Sequence, residues 1–351
     1  MHNEQQSFDS PSRTIWGAVT TALAKVVVFA LTVMFTQSTQ AQTFQVIYTF
    51  PASAQDGVGP NSLTIDNAGN LYGTTYIGGY TGGSCNQIGY PGCGTIFNLS
   101  EQGSGWLFTL LHSFTGVPSD GANPTAAPTI APPASAPTGG LYGTTPSGAS
   151  CQYCGTVYNF VHSPISTPLV SWTEVLLYQF AGSPDGQLPN SGKLIFDHNG
   201  NFYGMTQAGG QGEGWGTIYK MTHSGGAWTE SVLYSFAGGS DGWGPMGGLI
   251  FDNAGNLYGT TEFGGSPEWP GDGTIFQLVP SGNGWSKNIL YRFQGRLDGA
   301  LPEGSLILDA SGNLYGTTTL RSSGFAANAS VFMLSPQGSS WSFKSIRSFF
   351  Q

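Results

Sequence analysis

One pattern written five times constrains this chain more than anything in its composition. The tyrosine of an LYG-type signature stands at Tyr72, Tyr142, Tyr203, Tyr258 and Tyr315, recurring every 55 to 70 residues. Leu233 to Ile289 is the clearest copy, and it divides into four strand-sized pieces: Gly248–Asp252, Asn256–Thr261, Gly273–Leu278 and Trp285–Phe293. A period near 50 residues with several short strands per unit predicts an all-β fold, a β-propeller of five four-stranded blades. The copies run from about 44 to 109, 110 to 175, 176 to 232, 233 to 289 and 290 to 351, so a single propeller domain is expected over 42–351.

Short signals inside each copy refine the picture. D-x-x-G-N joins the first two pieces at Asp66–Asn70, Asp197–Asn201, Asp252–Asn256 and Asp309–Asn313. Asp accepts local backbone bonds and Gly takes positive φ, which marks a tight hairpin. In the second copy a Pro-rich excursion, Pro128 to Thr138, replaces that turn and reads as a surface loop. Trp and Phe stand eight residues apart in the fourth piece, at Trp106/Phe114, Trp172/Phe180, Trp228/Phe236, Trp285/Phe293 and Trp341/Phe349. An even offset along a strand places both on one face, an aromatic ridge for packing between blades. Val46 to Phe50 repeats this strand at the start, and the chain ends in its equivalent at Ser345–Gln351. Strands from both termini are therefore expected to meet in one blade and protect its edges.

With 54 glycines, 13% aromatic residues and only 8% charged residues, the chain is turn-rich and well supplied with core. A net charge of −9 with ten Lys and Arg provides no basic stripe for phosphates, so nucleic acid is not an expected partner. Residues 1–41 read as a signal peptide: Arg13 and Lys25 precede the apolar run Val26–Phe35, and Ala41 offers a small residue for cleavage. The rival, a membrane helix over Ile15–Phe35, would hold Lys25 mid-span at about 2.5–3.5 kcal/mol. Nothing later in the chain could span a bilayer, and the mature protein is expected to be secreted, periplasmic or on the cell surface.

Two loop families would share one face of the disc. D-G-x-x-P recurs at Asp56, Asp120, Asp185, Asp241 and Asp298, and a variable loop precedes each GT[IV]F. Five aspartates on one rim offer a polar-ligand or Ca²⁺ ring. The simpler reading is that Asp-Gly makes the turn and Pro stiffens it, since calcium needs six to eight oxygens from a dense cluster. No metal and no cofactor is expected. Cys85 and Cys93, and Cys151 and Cys154, lie in matching loops and are expected to form two local disulfides. Trp215, Trp243 and Trp269 fall outside the Trp/Phe packing register, in the third and fourth copies, and are the expected ligand contacts. Non-repeated acids in these loops, Glu213, Glu262, Glu268, Asp272 and Glu303, are the only carboxylates open to catalysis, and no spacing pairs them. The five histidines form no metal pattern.

LYGTT, GTIF, LYSF and D-x-x-G-N-LYG together resemble the GloVer (Gloeobacter/Verrucomicrobia) tandem repeat of exported bacterial proteins. The resemblance covers about Phe44 to Gln351 and implies export and a propeller-like fold, with no activity attached. A C-terminal anchor of the kind its members often carry is not expected after Phe350. The functional expectation is a binding or scaffold module, not an enzyme, presenting loops from one face to a glycan or protein of the cell envelope. The alternatives are a carbohydrate-active hydrolase or lyase using Glu213, Glu262, Glu268 or Asp272, and a purely structural envelope component.

Overall fold

A computed structural model of the chain describes residues 44–51, 55–82, 85–87, 90–118, 120–132, 140–148, 153–162, 172–189, 192–266, 269–282, 284–295, 298–319 and 329–349. The expected signal peptide, Cys151, Glu268 and most of the Pro-rich excursion lie outside the described residues. Every strand lies within one compact unit, Tyr48–Gln351.

Five four-stranded antiparallel sheets follow in chain order, each a simple meander, arranged as the blades of a ring. Blade 1 comprises Val58–Ile65, Leu71–Ile77, Thr95–Gln102 and Gly105–Ser113. Blade 2 comprises Thr129–Ile130, Leu141–Thr145, Thr156–His162 and Trp172–Gln179. Blade 3 comprises Ile195–Phe196, Phe202–Thr206, Thr217–Ser224 and Ala227–Ser235. Blade 4 comprises Trp243–Phe251, Leu257–Phe263, Thr274–Ser281 and Gly284–Arg292. Blade 5 comprises Ile307–Leu308, Leu314–Thr318, Ala329–Gln337 and Ser340–Phe349.

The repeated residues explain the repeated strands. In the D-x-x-G-N turn of blade 4, Asp252 Oδ1 accepts the amides of Ala254 and Asn256 at 2.9 Å. Its Oδ2 accepts Asn256 Nδ2 at 2.7 Å and the Tyr258 hydroxyl at 3.0 Å, while Gly255 turns the chain at φ 83°. The LYG tyrosine thus staples the hairpin that precedes it. The glycine of the same signature lies under a ring of the third strand: a Cβ on Gly259 would sit 2.7 Å from the Phe276 para carbon. The following threonines close the layer, with Thr75 bonded to Thr95 at 2.8 Å, Thr206 to Thr217 at 2.7 Å and Thr261 to Thr274 at 2.8 Å, all buried.

One expectation fails instructively. Trp and Phe of the fourth strand do not share a face. Each blade carries a β-bulge between its third and fourth strands, as at Ile218/Tyr219, where Tyr219 pairs with Val232 but Ile218 pairs with Tyr234. The extra residue, Leu233, turns the second half of the strand over. Trp228 therefore faces blade 2, packing on Tyr142 at 6.0 Å, whereas Phe236 faces blade 4, packing on Phe276 at 5.4 Å. The same Trp-to-Tyr contact recurs as Trp172 on Tyr72, Trp285 on Tyr203 and Trp341 on Tyr258.

Among the described residues, buried clusters fill the junctions between blades 1 and 2, 2 and 3, 3 and 4, and 4 and 5. At the two free ends of the series the corresponding apolar positions stand open, Ile65 at 65% and Ile307 at 68% exposed. The strand expected at Val46–Phe50 is not formed, because blade 1 already has four strands of its own, and the last strand pairs only with Ala329–Gln337. The segment contributes side chains instead. Tyr48 stacks on Phe108 at 4.6 Å and Phe50 meets Phe97 at 5.1 Å, as Tyr291 stacks on Phe343 at 4.4 Å and Phe293 meets Phe332 at 5.3 Å between blades 4 and 5.

Candidate functional site

The two loop families do meet on one face. The amide of the fourth residue in D-G-x-x-P donates to the variable loop of the preceding blade: Asn123 to Cys93 at 2.7 Å, Leu188 to Tyr153 at 3.2 Å, Gly244 to Trp215 at 3.0 Å and Leu301 to Asp272 at 2.9 Å. That fourth residue is left-handed in all five loops, with φ of 68° at Gly59, 60° at Asn123, 55° at Leu188, 60° at Gly244 and 53° at Leu301. Two leucines in this region mark strain held by the loop's other bonds. The Cys85–Cys93 disulfide pins the first variable loop, and Cys154 is also disulfide-bonded.

On this face the three out-of-register tryptophans come together. Trp269, 70% exposed, lies parallel on Trp243 with ring centroids 4.9 Å apart and an angle of 5°. Trp243 stacks in turn on Phe263 at 4.2 Å, and Trp215 leans against both tryptophans at 5.2 and 5.8 Å. The result is an aromatic slab with one open surface. The Trp243 indole N–H is buried without a hydrogen-bond partner. Beside it, Gln207 Nε2 donates to Glu262 Oε2 at 3.3 Å. Burial, and then the charge of Glu303, push the Glu262 carboxyl up to about 7. Of the other acids, Glu213 is exposed on the rim and Asp272 is engaged with the neighbouring loop.

The five rim aspartates are used inside their own loops. Asp185, Asp241 and Asp298 each accept an amide four residues back, from Ala181, Ala237 and Gln294, at 2.9 Å. Each also accepts a tyrosine hydroxyl from the preceding outer strand: Tyr178 at 3.1 Å, Tyr234 at 2.9 Å and Tyr291 at 2.9 Å. Asp56 accepts Tyr48 in the same way at 2.6 Å. At Asp120 the tyrosine is replaced by His112, whose Nε2 stands 3.2 Å from Asp120 Oδ2.

A third column completes each junction: the residue two after the outer-strand tryptophan. It is Phe108, Glu174, Glu230, Lys287 and Phe343 in blades 1 to 5. Glu174 comes 3.7 Å from His112, and burial followed by the charge of Asp120 pushes its carboxyl strongly up. Burial works against Asp120 as well, but hydrogen bonds and charge from His112, with the Thr115 amide, hold it below the usual range. Between blades 2 and 3 Glu230 is raised to about 7 by burial and then Asp185. Between blades 3 and 4 Lys287 bonds Asp241 at 2.8 Å and is lowered to about 8, chiefly by burial. Where the third column is Glu, the third strand carries Tyr158 or Tyr219 in place of Phe, and both hydroxyls are buried without partners. Sequence reading passed over His112 and Glu174 because they form no motif along the chain. The signal that could have found them is His112, which departs from the tyrosine of its column at Tyr48, Tyr178, Tyr234 and Tyr291.

Residues 189–349 match the family model of the Gloeobacter/Verrucomicrobia repeat. No curated protein matches the chain. Among solved structures, a candidate oxidoreductase (glucose dehydrogenase) from Thermus thermophilus is similar at 16% identity, covering 84% of each chain with a TM-score of 0.49. A protein of unknown function from Dyadobacter fermentans is similar at 11% identity, covering 81% of this chain and 92% of that one, with a TM-score of 0.42. An α-L-arabinofuranosidase from Clostridium thermocellum is similar at 13% identity, covering 84% of this chain and 93% of that one, with a TM-score of 0.39. Two of these three are described as enzymes, so the expectation that the chain is not an enzyme is corrected and does not stand. At such identities the likenesses assign no activity to it either.

Proposed function

We propose that this chain, whose residues 189–349 match the Gloeobacter/Verrucomicrobia repeat, is a module that binds a glycan on the loop face of blades 3 and 4. One observation carries the reading: Trp269, 70% exposed, is backed by a parallel stack through Trp243 to Phe263. A rigid aromatic slab with one open surface suits the apolar face of a sugar ring, and the indole N–H of Trp243 with Glu262 and Gln207 offers polar groups at its edge. Trp269 is exposed and outside the buried cluster that joins blades 3 and 4, which favours binding over a purely structural role. The Cys85–Cys93 disulfide supports action outside the cytoplasm. No helix among the described residues is long and apolar enough to cross a membrane.

The test is a glycan array probed with the wild-type chain beside Trp269→Ala and the triple Trp215→Ala/Trp243→Ala/Trp269→Ala variant. Loss of at least about fivefold in affinity on Trp269→Ala is expected, from the roughly 1–3 kcal/mol of a lost aromatic stack. A folded wild type that binds no glycan, or an unaffected Trp269→Ala, overturns the reading.

A second reading is favoured by Glu262. A carboxyl that keeps its proton to about 7 beside Glu303 is suited to general-acid work on a bound glycoside. Aryl glycosides cleaved by the wild type and spared by Glu262→Gln would bear this out, and equal turnover by both would remove it.

A further inference from the structure

The four blade junctions, and the seat of Tyr48 and Phe50 on blade 1, each hold one aspartate of the rim and differ in what surrounds it. Phe108 and Phe343 make two of them apolar, and Lys287 gives a third its own cation. The junction between blades 1 and 2 is different in kind. There His112 replaces the tyrosine that stands at Tyr48, Tyr178, Tyr234 and Tyr291, and two carboxyls converge on it. We infer that His112 Nε2, Asp120 and Glu174 form a binding site for a divalent transition-metal ion of the zinc or manganese class.

Geometry is the first support. His112 Nε2 lies 3.2 Å from Asp120 Oδ2 and 3.7 Å from Glu174 Oε2, and the three ligand atoms all fall within 4.8 Å of one another. Ligands about 2.0–2.2 Å from a common ion stand about 3.0–3.6 Å apart at octahedral or tetrahedral angles, so small side-chain adjustments complete the set. The chemistry narrows the ion. One imidazole with two carboxylates suits zinc or manganese. Calcium demands six to eight oxygens, and soft ions prefer sulfur.

The second, independent support is a buried polar atom of the cluster itself that no donor reaches. Glu174 Oε1 is buried and no donor reaches it; the Tyr158 hydroxyl, also buried without a partner, lies against Gly143 of the second strand. Phe160 pairs with Glu174 and Tyr158 precedes it by two, on the same face, in the register that stacks Phe97 on Phe108 in blade 1. An ion, directly or through a bound water, would satisfy Glu174 Oε1. The ligands are also braced. Asp120 Oδ2 accepts the Thr115 amide at 2.7 Å and its hydroxyl at 3.0 Å, and Oδ1 accepts the Gly121 amide at 2.6 Å. Such outer bonds orient a ligating carboxylate. With 24% of the His112 side chain and 16% of Glu174 exposed, an ion can enter from the loop face. The neighbouring junction repeats this arrangement as Tyr178, Asp185, Glu230 and Tyr219 but lacks the imidazole, and serves as an internal comparison.

The test uses the untagged chain, stripped with a chelator and then equilibrated separately with Zn²⁺, Mn²⁺ and Ca²⁺, with bound metal measured per chain after gel filtration. His112→Tyr is the main variant, because it restores the residue of the other junctions and keeps the fold. Glu174→Gln is the second, preserving shape while removing a ligand charge. Expected is about one equivalent of Zn²⁺ or Mn²⁺ in the wild type beyond that held by His112→Tyr, with affinity at least about 100-fold weaker in Glu174→Gln. Substituted Co²⁺ should give a visible absorption band that His112→Tyr lacks. A wild type that retains neither Zn²⁺ nor Mn²⁺, or a His112→Tyr variant that retains as much, overturns the inference.

Discussion

Replacing Lys287 with phenylalanine should make the propeller more stable. The ammonium is 2% exposed and bonds the Asp241 carboxylate at 2.8 Å and the Asp241 carbonyl. The rings of Phe236, Tyr234 and Phe276 lie around it at 4.6, 5.2 and 5.6 Å. Burial outweighs the attraction of Asp241 and lowers its pKa from 10.5 to about 8. At about 1.4 kcal/mol per pH unit, that gap means the charged form is disfavoured by roughly 3 kcal/mol relative to the unfolded chain. Phenylalanine already fills this column at Phe108 and Phe343, where it stacks on Tyr48 and Tyr291 at 10° and 13°. Asp241 keeps the Tyr234 hydroxyl and the Ala237 amide. The expected gain for Lys287→Phe at neutral pH is therefore about 1–3 kcal/mol. The pH dependence has a definite sign. Between about 8 and 10.5 the unfolded chain holds a proton that the folded chain has released, so the wild type gains stability as pH rises through that window. The advantage of the variant should shrink over the same range. Urea unfolding of both proteins from neutral pH to about pH 10 decides the matter. A variant less stable than wild type at neutral pH, or an advantage that does not change with pH, would refute the reasoning.

Three further outcomes follow from the repeated loops and columns. Leu301→Asn should raise stability by about 0.5–1 kcal/mol in chemical denaturation, since Asn tolerates the left-handed backbone and stands at that position as Asn123. Asp252→Ala should lower it by about 1–3 kcal/mol by the same measurement, because two amides, the Asn256 side chain and the Tyr258 hydroxyl lose their acceptor. Glu230, raised from 4.5 to about 7, holds a proton in the folded state that the unfolded chain gives up. Stability should therefore fall as pH rises through that window, and Glu230→Gln should flatten the slope of Tm against pH.

The parts of the fold legible in the sequence were those that every copy needs locally. D-x-x-G-N shows its hairpin because the bonds run from Asp252 to residues two, four and six ahead, all within one stretch of chain. Clustering of Trp215, Trp243 and Trp269 could be expected from their loops, since the shared face follows from strand order. The bulge could not be seen. An extra residue such as Leu233 has no composition of its own, and only pairing with Ile218 and Tyr219 reveals that the strand turns over. Val46–Phe50 looked like a strand because it retains Tyr48 and Phe50, the side chains that pack on blade 1, without the backbone partners a strand requires. His112 and Glu174 escaped notice because 62 residues separate them along the chain, while the fold closes them and Asp120 to a few ångströms.

The turned-over outer strand has a consequence for how such arrays grow and fail. Like a rivet through two plates, Ala227–Ser235 holds blade 2 by Trp228 at one end, while Tyr234 and the adjoining Phe236 hold blade 4 at the other. Trimming one blade would strip a face from both its neighbours, so fraying should spread along the ring instead of stopping at a repeat boundary. Duplication is the milder event. A copied segment running from one Tyr-x-Phe to the next outer strand brings its own aspartate and its own third-column residue, so a new seam arrives with its polar layer already assembled.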